Sequence, residues 1–147
     1  MTELTDQLLL DCLAESLETM AFLSLEAVDE IPANAPADAM CVRIASREEA
    51  SANVELVAPK SLGDVLAVNM LGLEFSDVVS ADQAADALKE LTNILGGLLL
   101  RRSASETELC LPQLTSFDAK NWRAFTADPA AVVVSVEAHV IAVRRSA

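Results

Sequence analysis

Asp86, Glu90 and Asn93 occur at offsets of four and seven in the stretch DALKELTNILGG, residues 86–97. If the stretch is a helix, that spacing puts all three on one stripe. The set joins two carboxylates, which accept hydrogen bonds, to an amide that both accepts and donates. It makes a poor helix surface. Asp86 and Glu90 repel at a spacing where a Glu–Lys pair would stabilise by about 0.2–0.5 kcal/mol. Asn93 lowers helix propensity, and Gly96 and Gly97 each cost up to about 1 kcal/mol against alanine. A face kept polar for solubility alone has better residues to use.

On a wheel of about 100° per residue, Ala84, Ala87, Leu88, Leu91, Ile94, Leu95 and Leu98 gather on one face of a helix spanning Asp82 to Arg102. Asp86, Glu90, Asn93 and Gly97 fall on the opposite side and are expected to face solvent. A first helix, from Leu4 to about Phe22, repeats the arrangement with Asp11, Glu15 and Glu18, opposite Leu9, Leu13, Leu17 and Met20. The two copies form a degenerate pseudo-repeat whose third position differs, Glu18 in the first and Asn93 in the second.

Between these helices, IPANAPADA (31–39) reads as a linker within the domain. Two alternating runs, Met40 to Ser46 and Ser51 to Ala58, read as strands joined by a hairpin at the charged tract between them. PKSLGDVLAVNMLG then carries a helix pattern, with Pro59 at its start and Gly72 just past its end. After Arg102 strand patterns return: Glu106 to Pro112, a weaker run at Trp122 to Phe125, and Ala131 to Arg144. The last is too long for one typical strand and is split near Ser135 to Ala138. Trp122 reads as a packing residue and His139 as a structural or surface residue.

With 147 residues, 52% of them hydrophobic, the chain suits one compact domain, 1–147, and argues against disorder. A formal net charge of −13 argues against nucleic acid or an anionic membrane as partner. No apolar stretch approaches the ~18 residues of a membrane span, and Thr2, Glu3 and Asp6 do not suit a signal peptide. A cytoplasmic location is expected. Cys12, Cys41 and Cys110, with His139 the sole histidine, offer no zinc spacing and read as buried or half-buried apolar residues. Arg101 with Arg102, and Arg144 with Arg145, read as solvated ends of elements. No Gly-rich phosphate loop and no Ser/His/Asp set is present.

Asp86-x-x-x-Glu90-x-x-Asn93, continued as ILGG, resembles the signature of the CheC/CheX/FliY chemotaxis phosphatases, Asp/Ser-x3-Glu-x2-Asn. The order of first helix, strand pair, helix ending in MLGLEF, motif helix and carboxy-terminal strands is similar to the CheX type over nearly the whole chain. The resemblance implies an α/β (α+β) fold with two long antiparallel helices packed on a mainly antiparallel β-sheet. It also implies hydrolysis of the aspartyl phosphate of a CheY-like response regulator, in chemotaxis or related two-component signalling. In that reading Glu90 contacts the regulator's active-site lysine, Asn93 orients the attacking water, and Asp86 fills the least demanding motif position. Asp11, Glu15 and Glu18 are the degenerate first copy. The protein needs no cofactor of its own; Mg2+ is expected in the partner receiver domain. A homodimer through sheet edges is also implied. The alternative is a module that binds receiver domains or a signalling complex without catalysis.

Overall fold

The computed structural model describes residues 6–47, 53–72, 74, 78–103 and 107–146. The first element is helix α1 (Asp6–Ala21), which buries Leu9, Cys12, Leu13, Leu17 and Ala21 along one face. Ser16 lies in that face, and its hydroxyl donates back to the Cys12 carbonyl at 2.7 Å, so no buried polar atom is stranded. The helix ends in a left-handed residue, Phe22 (φ 55°). Phe22 N–H donates to Glu18 and Leu23 N–H to Leu17, the paired reverse bonds that close a helix end.

Six strands follow in part around and in part between the helices: β1 (Leu25–Ala27), β2 (Ala39–Ile44), β3 (Asn53–Pro59), β4 (Gln113–Thr115), β5 (Ala131–Val136) and β6 (His139–Ser146). They form one sheet in the order β1-β5-β6-β3-β2-β4, with every neighbouring pair antiparallel. Strand alternation assigns the two faces. Val42, Ile44, Val54, Leu56, Ala58, Val134, Val136, Ile141 and Val143 join the helices in the main core. Cys41, Val57 and Ala142 point the other way, onto Trp122 and Phe125. Register keeps the apolar rows in line, with Val143 opposite Leu56 on one side and Val132 on the other.

Helix α2 (Lys60–Leu71) starts at Pro59 and stops at Gly72, whose φ of 66° suits a residue without Cβ. Helix α3 (Ala81–Arg102) starts in a capping box. Gln83 N–H donates to Ser80 Oγ at 3.1 Å, and the Gln83 side chain accepts from Ser80 N–H at 3.0 Å. The α2 and α3 backbones touch at Gly63, where a Cβ would stand 2.7 Å from the Ala84 carbonyl oxygen. On the far face of the sheet, a 3-10 turn (Ala119–Asn121) leads into α4 (Trp122–Ala127). Trp122 is fully buried there, its indole N–H donating to the Pro32 carbonyl at 2.8 Å, so the proline-bearing linker is held against this second layer.

The structure corrects several expectations. Trp122–Phe125 is helical, because its two aromatics, three residues apart, seat one helical face on the sheet. The strand expected at Glu106 to Pro112, whose first residue lies outside the described residues, is found later, at Gln113–Thr115; among the described residues upstream of it, only Leu109 bridges, to Ser46. β1, three residues long, has too short a pattern to be seen in the sequence. Cys110 is exposed, whereas Cys12 and Cys41 are buried. Arg144 is no solvated end: it reaches Glu55 at 3.2 Å and Asp128 at 3.5 Å and lies over the Phe125 ring. The expected split of the last tract falls at Glu137 and Ala138, both with positive φ, the turn of the β5–β6 hairpin. The hairpin connection expected between β2 and β3 lies outside the described residues at 48–52, although the two strands pair from Ala39↔Pro59 to Ile44↔Val54.

Candidate functional site

Helix α3 is pinned to the sheet along the face expected from the wheel. Ala84, Ala87, Leu88, Leu91, Leu95 and Leu98 are buried, and Ile94 is half-buried. Thr92 shares the buried face, its hydroxyl donating to the Leu88 carbonyl at 2.8 Å. Gly96 marks the closest approach to the sheet: a Cβ there would stand 3.1 Å from Leu109 Cδ1 and 3.3 Å from Ile44 Cγ2. This packing accounts for the helix-propensity cost of Gly96.

With that face fixed, the remaining stripe must point out. Asp86, Glu90 and Asn93 are all exposed, and Gly97 is half-exposed. Asp86 faces Lys89 across a loose 3.8 Å pair. Lys89, three residues on, was a legible signal, and it softens the repulsion between Asp86 and Glu90. Among the described residues, neither Glu90 nor Asn93 has a hydrogen-bond or ion-pair partner.

The first copy is in a different state. Asp11, Glu15 and Glu18 are likewise exposed on α1. Asp11 accepts from Gln7 Nε2 at 2.8 Å. Glu15 is ion-paired to the guanidinium of Arg102, at the carboxy-terminal end of α3. Arg102 also reaches Cys12 Sγ at 3.8 Å. Glu15, the counterpart of Glu90, thus already holds a cation from its own chain, and Glu18 lacks the amide of Asn93. No sequence signal pointed to this pair, because its members lie far apart in the chain.

Other candidates separate from this site. His139 starts β6, its Nδ1 3.1 Å from Ser61 Oγ. Both line a pocket of about 300 Å³ walled by Pro32, Pro36 and Pro59, which includes none of the stripe residues. Among the described residues, no group of three or more His, Cys, Asp or Glu is placed to hold a metal ion, and no helix is long and apolar enough to cross a membrane. The stripe is a ridge. An exposed helix face cannot enclose a small substrate as a concave pocket does, so it suits insertion into a partner's cleft.

Among the described residues, a six-stranded antiparallel sheet backed by long helices, one of which displays an acid, an acid and an amide, defines the class of fold: a mixed α/β domain. No protein-family model matches the chain, and no curated protein matches it in sequence. Solved structures do match. CheX from Vibrio vulnificus superposes with a TM-score of 0.62 at 17% identity, covering 96% of this chain and 94% of that one. A chain of the CheX–CheY–BeF3–Mg2+ complex from Borrelia burgdorferi gives 0.62 at 13% identity, covering 95% of each. FliY from Thermotoga maritima gives 0.58 at 14% identity, covering 99% and 93%. The chain has the fold of the CheC/CheX/FliY chemotaxis proteins.

Proposed function

We propose that the protein is a CheX-type phosphatase that hydrolyses the aspartyl phosphate of a CheY-like receiver domain, with α3 as its working face. The observation that carries this reading is the contrast between the two copies: Glu90 and Asn93 are exposed and have no partner among the described residues, while Glu15 is held by Arg102 and Glu18 carries no amide. A structure of this fold bound to CheY, with BeF3 and Mg2+, supports the choice of partner.

The chemistry asks for little from the protein beyond placement. Phosphoryl transfer to water depends on holding the nucleophile in line with phosphorus and stabilising charge already on the phosphoryl oxygens. The Asn93 carbonyl accepts a hydrogen bond from the attacking water, and its NH2 donates elsewhere in the pocket. A carboxylate at that position would bring negative charge toward the phosphoryl group, which disqualifies Glu18. Glu90 pairs with the receiver's lysine and sets the docking register, one helical turn before Asn93. Asp86, still bound loosely to Lys89, lies at the edge of the contact. The Mg2+ is the receiver's own ion; this chain supplies no ligand to it.

The test is to mix the protein with phosphorylated receivers from its own cell and follow phosphate loss. At least one receiver should lose phosphate faster, and Glu90→Ala should weaken binding to that receiver about tenfold or more. A receiver that binds while its phosphate lifetime is unchanged or lengthened would instead identify a docking module without catalysis.

A further inference from the structure

Gly97 is the stripe position for which the fold gives no reason. Glycine inside a helix lowers its stability, and the close neighbours that require Gly96 are missing at the next residue. Among the described residues, a Cβ built on Gly97 meets nothing within 4 Å beyond its own stretch of helix, and its φ is not in the left-handed region that favours glycine. Alanine would fit and would strengthen α3. Gly97 lies four residues beyond Asn93 on the same outward stripe, just over one turn or about 6 Å further along the axis.

We propose that Gly97 is a positioning residue for the receiver. Its bare Cα lets the backbone of a receiver loop beside the phosphorylated aspartate rest directly on α3, which seats the Asn93 amide at the attacking water. This rests on the phosphatase reading of the same helix. A side chain at Gly97 would begin with a carbon standing about 1.5 Å out from Cα and would hold the partner away by a similar distance. Displacements of that order lower rates of positioned reactions by about 10²-fold. A receiver carbonyl resting there can also accept the weak Cα–H donor. Asp86, Glu90 and Asn93 reach outward to the partner; Gly97 sets how near the helix itself can come.

Wild type, Gly97→Ala and Gly97→Leu are compared by thermal midpoint, by affinity for a beryllofluoride-loaded CheY-type receiver, and by single-turnover dephosphorylation. Gly97→Ala should melt about 2–4 °C higher while losing about 10²-fold in turnover, and Gly97→Leu should lose more. If both variants bind and turn over like wild type, the inference is overturned and the phosphatase reading stands. A lower melting point for Gly97→Ala also overturns it, because the glycine would then serve the fold. If wild type neither binds nor dephosphorylates any receiver, both readings fall together.

Discussion

Asn93 differs from Glu18 by an amide in place of a carboxylate one methylene longer, and this difference separates the two copies chemically. The charge of Glu18 cannot be oriented away from an incoming phosphoryl group, whereas the amide presents its carbonyl to water without net charge. Glu15 adds a second distinction, since its carboxylate is engaged by Arg102 with both side chains still partly open to solvent. Thiols give an independent check on the placement of α1 and β2. Burial pushes the Cys12 thiol up, with the Arg102 guanidinium partly opposing it, and burial likewise pushes Cys41 up. Cys110 is exposed. One thiol of three should therefore react with a thiol reagent in the native protein and all three in denaturant. The folded state keeps two thiol protons that the unfolded chain gives up more readily. Stability is thus fully present at neutral pH and should fall as pH rises into the alkaline thiol range, an expected outcome for unfolding curves taken across that range.

At the scale of elements, the helices were legible because periodicity and caps agree: Ser80 with Gln83 opens α3, and Pro59 and Gly72 bracket α2. The exposed stripe was legible for the same reason, since a wheel needs only local spacing. Elements specified by distant partners were not. Trp122–Phe125 becomes a helix only because a sheet face and the Pro32 carbonyl await its indole, and β1 exists only because β5 offers it an edge at Leu25↔Val136. The glycines of α2 and α3 show the same limit, for a sequence does not reveal what stands beside a missing Cβ. Gly63→Ala would drive a methyl into the Ala84 carbonyl oxygen, a backbone atom that cannot step aside. It should destabilise by about 3 kcal/mol. Gly96→Ala meets only the ends of Leu109 and Ile44 side chains, and the gain in helix propensity offsets the crowding, so it should stay within about 1 kcal/mol of wild type. Urea midpoints at unchanged slope distinguish the two.

Taken whole, the molecule is a sheet with an apolar layer on each face, and the proposed chemistry lies on the outside of one helix. The proline-walled pocket and the sole histidine lie apart from that helix stripe, and under the proposed function the working surface is a ridge that takes the remainder of its site from a partner's cleft. Under that proposal the formal charge of −13 would give such a ridge no long-range attraction to an acidic receiver pocket, and recognition would rest on short-range contacts at Glu90, Asn93 and Gly97. The homodimer through sheet edges implied by the sequence resemblance remains a proposal for β1 and β4, the two outer strands. The central claim is that the Asn93 amide orients the hydrolytic water, and single-turnover phosphate release from a saturating phosphorylated receiver tests it directly. Asn93→Ala should bind the receiver as wild type does and release phosphate about 10²-fold more slowly; equal rates for the two proteins would contradict the account.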